Sequence, residues 1–255
     1  MAKKAISEKN SIEEITLKPF PPLHLYRYRS IASQKLFDQE INAINDSYLW
    51  ASEYKYLNDP MEGLWYSSKF VKESGNENDI RKNIKKQLDG ARTVSFSETG
   101  TNPVMWAHYA GSFNGICIEY YTKRLIKNLS AENKDNFSFN FIKMAYSARP
   151  SRISINDIKK DKSKLLLQKI LSQKQTNWAY EQEWRILCHP LEGENGKIKH
   201  KPDAIKAIYL GSRIKDKHKE TLSKMAFDKS FGLYQIEIDE YELKLKKIIP
   251  KQKSR

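Results

Sequence analysis

Long hydrophobic runs, cysteine and signature loops are all scarce in this chain of 255 residues, and each absence excludes something. No stretch of eighteen apolar residues occurs, so no membrane-spanning helix is expected. The start, Met1-Ala2-Lys3-Lys4, runs into Glu8-Lys9-Asn10 without the apolar core of a secretion signal, and a cytoplasmic protein is the expectation. The two cysteines, Cys117 and Cys188, each lie inside an apolar, strand-like run and read as buried free thiols, not as a disulfide or metal site. A Walker loop, a Gly-x-Ser-x-Gly elbow, a paired-cysteine zinc pattern, an RNP-type motif and internal repeats are all missing. Function has to be sought in less familiar residues.

Positive charge is what the chain has in excess. Forty-five Lys and Arg against 31 Asp and Glu leave a formal net charge of +14. Such a balance suits an anionic ligand or nucleic acid, although a solvated lysine-rich surface produces the same total. Oligomeric state is not legible in it.

Periodicity supplies an outline. Residues 1–22 are polar, end in Pro19-Phe20-Pro21-Pro22 and read as a loose arm. Leu23 to Arg29 alternates as a strand, with Arg27 and Arg29 on one face, placed to clamp a phosphate or to pair with acids, and Tyr26 and Tyr28 on the other. Helical spacing follows over 33–44, then a short strand over 48–51. In Asn58-Asp59-Pro60-Met61-Glu62-Gly63, Asp59 reads as the N-cap of a helix with Pro60 at its first position, which would hold Asp59 and Glu62 at a helix mouth. A polar helix over 77–89 precedes the strand Thr93-Val94-Ser95-Phe96-Ser97, whose hydroxyls share one face. Pro103 to Gly111 is a two-turn helix carrying Trp106, His108 and Tyr109. Strands are expected over 115–120 and 137–141, an amphipathic helix over 154–176, a turn from Gly193 to Lys199, a buried strand over 204–211, a helix around Leu222 and Met225, and two closing strands over 233–238 and 242–245. Strands and helices mix without strict alternation. That pattern specifies an α+β fold, one mixed, mainly antiparallel central sheet covered by helices, as a single domain over 23–247 with a basic tail over 248–255.

The chain is organised around Trp178-Ala179-Tyr180-Glu181-Gln182-Glu183-Trp184-Arg185-Ile186-Leu187. Read as extended, it puts Glu181, Glu183 and Arg185 on one face and Tyr180, Trp184 and Ile186 on the other. Two carboxylates and a guanidinium beside so much aromatic mass are costly to place near a core. Either chemistry requires them, or a buried ion network with Lys174 specifies the fold.

Four pieces together resemble a bacterial family defined as domain of unknown function 2971: Leu25-Tyr26-x-Tyr28-Arg29, Asn58-Asp59-Pro60-x-Glu62, Trp106-x-x-Tyr109 ahead of Gly115-Ile116-Cys117, and Lys174-x-x-x-Trp178-x-x-Glu181-x-Glu183-Trp184-Arg185. With Tyr209-Leu210-Gly211 the resemblance spans roughly 23–215. Family members commonly carry a histidine two residues before the Gly-Ile-Cys glycine, where this chain has Phe113. A second, shorter pattern resembles ADP-ribosyltransferase folds: a basic residue on an early strand (Arg27 or Arg29), Ser95-x-Ser97 on a middle strand and Glu181-x-Glu183 on a late one.

That second resemblance implies NAD as substrate of an ADP-ribosyltransferase or NAD glycohydrolase, which by analogy suits a bacterial toxin or antiphage-defence effector. Glu183 would stabilise the oxocarbenium-like centre, Glu181 would orient or deprotonate the acceptor, Arg27 or Arg29 would hold the pyrophosphate, and Trp106 or Tyr109 would stack on a ring. Asn58, Ser95, Ser97, His108, Lys174 and Arg185 complete the expected ligand-binding set. Two alternatives stay open: a nuclease or phosphoesterase using Asp59, Glu62, Glu181 and Glu183 to hold Mg2+, and a non-catalytic nucleotide- or nucleic-acid-binding module.

Overall fold

The computed structural model describes residues 21–133, 137–159, 163–190 and 196–249. Residues 1–20 of the expected arm, 160–162 of the expected 154–176 helix, 193–195 of the expected turn and 250–255 of the expected tail lie outside them.

Strand β1 (His24–Arg29) leads into helix α1 (Gln34–Asn45), capped by Ser33, whose Oγ accepts from the Leu36 amide. Short strands β2 (Tyr48–Trp50), β3 (Ser52–Glu53) and β4 (Trp65–Ser67), then helices α2 (Lys69–Glu73) and α3 (Glu77–Gly90), bring the chain to β5 (Arg92–Ser97). Helix α4 (Pro103–Tyr109) follows, then β6 (Ile116–Tyr121) and α5 (Thr122–Glu132). Helix α5 was not anticipated, although Leu125 and Leu129, four apart and buried, carry its signal. Strands β7 (Phe137–Lys143), β8 (Ala145–Ser147) and β9 (Ser151–Ile153) precede helices α6 (Ile155–Lys159) and α7 (Ser163–Leu171). Next come β10 (Gln173–Gln175), a 3-10 turn over Thr176–Glu181, and β11 (Glu183–Pro190). The chain closes with β12 (Lys197–Lys199), β13 (Ile205–Leu210), α8 (Asp216–Lys229), β14 (Gly232–Asp239) and β15 (Glu242–Lys247).

Outside residues 58–63 and 178–187, two expectations for regular structure need correction. Of the helix foreseen over 154–176, Ile155–Lys159 and Ser163–Leu171 are helical, residues 160–162 lie outside the described residues, and Gln173–Gln175 is instead a strand paired in parallel with β8. The turn foreseen from Gly193 to Lys199 contains strand β12, which pairs with β2.

The central sheet runs β15-β14-β13-β6-β1-β5-β11-β7, with β3 also against β5. Every neighbouring pair is antiparallel except β13 with β14. The α+β class, with a mixed, mainly antiparallel sheet covered by helices, is the observed one. Alternation sorts the side chains between its faces. Leu25, Val94, Phe96, Ile118, Trp184 and Ile186 enter the largest apolar cluster, with Phe37 and Ile44 of α1, Leu125 and Leu129 of α5, and Leu222 and Met225 of α8. On the other face Tyr28, Cys117 and Tyr209 pack against Met105 and Trp106 of α4. Leu187 there meets α3 and α7. Both cysteines are free and buried, and burial raises both thiols, Cys188 to about 12. Such thiols are inert at neutral pH.

Candidate active site

Three adjacent strands build the floor of a pocket. Cross-strand register sets Tyr26 beside Ser97 and Ser97 beside Glu183, with Ser95 beside Arg185 one step along. These residues all point to the face opposite the large apolar cluster, where Tyr28 joins them, and all six line the pocket. Its walls come from elsewhere: Leu57, Asn58 and Glu62 from the turn before β4, Met105 and Tyr109 from α4, Lys174 from β10, and Glu181.

Local chemistry places each wall. Asn102 caps α4, its Oδ1 accepting from the amides of Val104 and Met105, and Pro103 occupies the first helical position. The same side chain donates from Nδ2 to the Tyr180 carbonyl at 2.9 Å, which ties α4 to the 3-10 turn. Tyr109 is thereby held so that its hydroxyl donates to Glu181 Oε1. The turn bearing Glu62 is pinned by the Tyr54 hydroxyl, which donates to the Glu62 carbonyl at 2.7 Å. Gly63 has φ +73°, and a Cβ there would lie 2.6 Å from the Tyr54 ring, so only glycine fits.

Five charged side chains converge in the lining of the pocket, all nearly excluded from solvent. Lys174 Nζ lies 2.7 Å from Glu181 Oε2, 3.3 Å from Glu62 Oε1 and 3.6 Å from Glu183 Oε2. Arg185 grips Glu183 Oε1 through Nε and Nη2 at 2.9 and 2.7 Å, and donates from Nη1 to Glu62 Oε2 at 2.6 Å and to the Leu171 carbonyl at 3.1 Å. Three carboxylates thus share two cations. Glu183 Oε2 is buried and accepts no hydrogen bond.

The two strand-end carboxylates are driven apart. Burial raises the proton affinity of Glu181, reinforced by the neighbouring Glu183 charge, and Lys174 only partly offsets this. Burial acts the same way on Glu183, but Arg185 and Lys174 outweigh it and hold that carboxyl below its ordinary value of 4.5. Folded Glu183 therefore binds fewer protons than unfolded Glu183 in acid. Its contribution to stability is complete above about pH 4.5 and disappears as pH falls through the lower folded value. Thermal unfolding followed from pH 6 to about pH 3 should show a shallower acid loss in Glu183→Gln than in the parent. An equal slope would assign the acid loss to other carboxylates.

The pocket gathers Asn58, Glu62, Ser95, Ser97, Tyr109, Lys174, Glu181, Glu183 and Arg185 from the expected set. Others lie elsewhere. Arg27 and Arg29 face the far side of the sheet, where Arg27 donates to the Trp50 carbonyl at 3.1 Å and Arg29 to Glu40 at 2.6 Å, so neither clamps an anion in the pocket. Trp106 is fully buried, donates from Nε1 to the Gly100 carbonyl and offers no face to a ligand. His108 stays at the surface with Tyr180, its Nδ1 2.9 Å from the phenol oxygen. Asp59 opens a turn and not a helix: its Oδ1 accepts from the Met61 amide, Oδ2 is buried without a partner, and it does not line the pocket. Glu181 ends the 3-10 turn, and Gln182 at φ +46° redirects the chain, so the ten-residue stretch is extended only from Glu183. Tyr26 and Tyr28 were not expected at the site, although their alternation against Arg27 and Arg29 was legible. Phe113 stacks on Trp106 with centroids 6.0 Å apart and does not line the pocket.

Among the described residues no group of three or more His, Cys, Asp or Glu side chains is arranged to hold a metal ion. No helix among them is long and apolar enough to cross a membrane. No curated protein and no solved structure matches the chain. Residues 105–186, which run from α4 into β11 and supply Met105, Tyr109, Lys174, Glu181, Glu183 and Arg185 to the pocket, match a family model. Over that segment the chain resembles the family described as Protein of unknown function (DUF2971).

Proposed function

We propose that the protein is an enzyme of glycosidic-bond chemistry acting on NAD, as a glycohydrolase or ADP-ribosyltransferase. One observation carries the reading: Glu181 and Glu183 share a pocket and an ammonium, yet their surroundings push their proton affinities in opposite directions. Carboxylate pairs divided in this way are suited to acid–base work by one member and charge stabilisation by the other.

Glu183 stays ionised, and its Oε2, which has the Lys174 ammonium 3.6 Å away but accepts no hydrogen bond, would take a ribose hydroxyl and face the positive charge developing at the anomeric carbon. As the C–N bond breaks, nicotinamide takes the electron pair and leaves neutral. Water or an acceptor then bonds to the anomeric carbon and passes its proton to Glu181. The cavity volume of about 100 Å³ is below the range for whole drug-sized ligands, so it takes one ring-sized end and leaves the adenosine half outside. Support comes from the carboxylate pair and not from phosphate recognition, because Arg27 and Arg29 face away. A Mg2+ nuclease is less well supported: Glu62, Glu181 and Glu183 are already paired with Lys174 and Arg185, and Asp59 is not in the pocket.

Nicotinamide release from NAD should be measurable with the purified protein, alone and with protein or nucleic-acid acceptors. It should fall about 10²–10⁴-fold in Glu183→Gln and in Glu181→Gln, with only Glu181→Gln removing a limb of the pH–rate profile. Intact NAD after long incubation at high protein concentration, with acceptors present, would overturn the reading.

A further inference from the structure

A second cavity, a groove of about 650 Å³, lies behind the first. Strand β10 separates the two: Lys174 projects into the charged pocket, while its neighbours Gln173 and Ser172 line the groove. Paired strand β8 repeats the division, since the Tyr146 hydroxyl accepts from the Glu183 amide while Ala145 and Ser147 line the groove.

The groove is cationic by construction. Arg149, Arg152 and Lys169 line it, and no Asp or Glu does. Lys169 is neutralised by Asp157 at 2.9 Å, whereas Arg149 and Arg152 are exposed and make no ion pair among the described residues. By contrast Arg29, Arg81, Arg92 and Arg185 all face carboxylates. The loop bearing the two free guanidiniums is braced. Gln173 Nε2 donates to the Arg149 carbonyl at 2.7 Å, and Ser151 Oγ donates to the Lys169 carbonyl at 3.0 Å. Register between β4 and β9 sets Tyr66 directly beside Arg152, and the Tyr66 ring is 42% exposed at the rim.

We propose that this groove binds single-stranded nucleic acid. Arg149 and Arg152 contact successive phosphates, the Ser147 hydroxyl, which accepts from the Arg149 amide, lies beside them as a further donor, and a base stacks on Tyr66. Unpaired cations next to an exposed aromatic ring are the elements of sequence-tolerant single-strand binding. An open groove of this volume takes a short single-stranded segment and cannot embrace a duplex. The net charge of +14 adds long-range attraction to the same partner.

Fluorescence anisotropy with labelled oligothymidylate and oligouridylate, titrated at increasing KCl, tests the site without calling on any turnover. The parent should bind saturably. Arg149→Ala with Arg152→Ala should weaken binding and reduce the slope of log affinity against log salt by about 1.4, from about 0.7 per phosphate contact on a single strand. Lysine at both positions should keep the slope. Tyr66→Ala should weaken binding about 5–150-fold and leave the slope unchanged. Thermal unfolding unchanged from the parent would show that these surface variants remain folded. Parent-like affinity and slope in the alanine variants would overturn the site. Tighter binding of a hairpin duplex, or equal competition by a free mononucleotide at matched phosphate concentration, would overturn the single-strand assignment.

Discussion

Arg185→Met is expected to lower folding stability by about 3–5 kcal/mol, measured by urea unfolding at neutral pH. Methionine approximates the volume of the arginine stem, so packing is largely conserved and charge is what changes. Arg185 is 1% exposed and neutralises Glu183 and Glu62 through four close contacts that also include the Leu171 carbonyl. Without it Lys174 alone faces three buried carboxylates. Lysine at 185 should rescue little, because an ammonium cannot reproduce the two parallel donors that grip Glu183 Oε1. Adding Glu62→Gln and Glu183→Gln to Arg185→Met should restore much of the loss, since the stranded charges are then gone. A loss below about 1 kcal/mol in Arg185→Met would show that water screens the cluster, as it does exposed pairs.

Trp106→Ala is the second large effect, with an expected loss of about 3–5 kcal/mol from the cavity left behind. The indole is fully buried, meets the Tyr28 ring edge-on with centroids 5.5 Å apart and stacks on Phe113. It also holds the Gly100 carbonyl at 2.9 Å. Trp106→Phe retains the ring but strands that carbonyl, at a cost of about 1–3 kcal/mol. Urea unfolding of both variants checks the pair. Were Trp106 a stacking platform for a ligand, alanine would abolish binding while stability stayed near that of the parent.

The two variants bear on how much of the molecule was legible beforehand. Local pattern located β1, α1, α3, β5, α4, β6, β13, α8, β14 and β15: the helices and β1 repeat their apolar residues at the period of the backbone, β6 and β13 are apolar runs buried on both faces, and β15 alternates although it is mostly exposed. The same logic failed where pairing overrode period. Gln173–Gln175 continues a helical stretch in sequence, but the edge offered by β8 draws it into a strand and turns Lys174 toward the carboxylates. Trp178 to Glu181 reads as extended, yet forms a 3-10 turn whose last residue meets β11 through Gln182 at positive φ.

For the site the division is sharper. Sequence alone singled out Glu62, Lys174, Glu181, Glu183 and Arg185 among its candidates, and these five are the charged side chains that the fold gathers in one pocket. Alternation along a strand also separated Tyr26 and Tyr28 from Arg27 and Arg29. It could not say which of those faces meets the carboxylates, because a strand's two faces are distinguished only by what packs on each. Tertiary structure decided that. Register across β1, β5 and β11 set Tyr26, Ser97 and Glu183 in one row and sent both arginines to the opposite side. It also buried Trp106, whose three-residue spacing from Tyr109 suits a core and a cleft equally well. Solvent exclusion by the whole fold, a property of no single segment, then raised the proton affinity of Glu181 while Arg185 and Lys174 lowered that of Glu183.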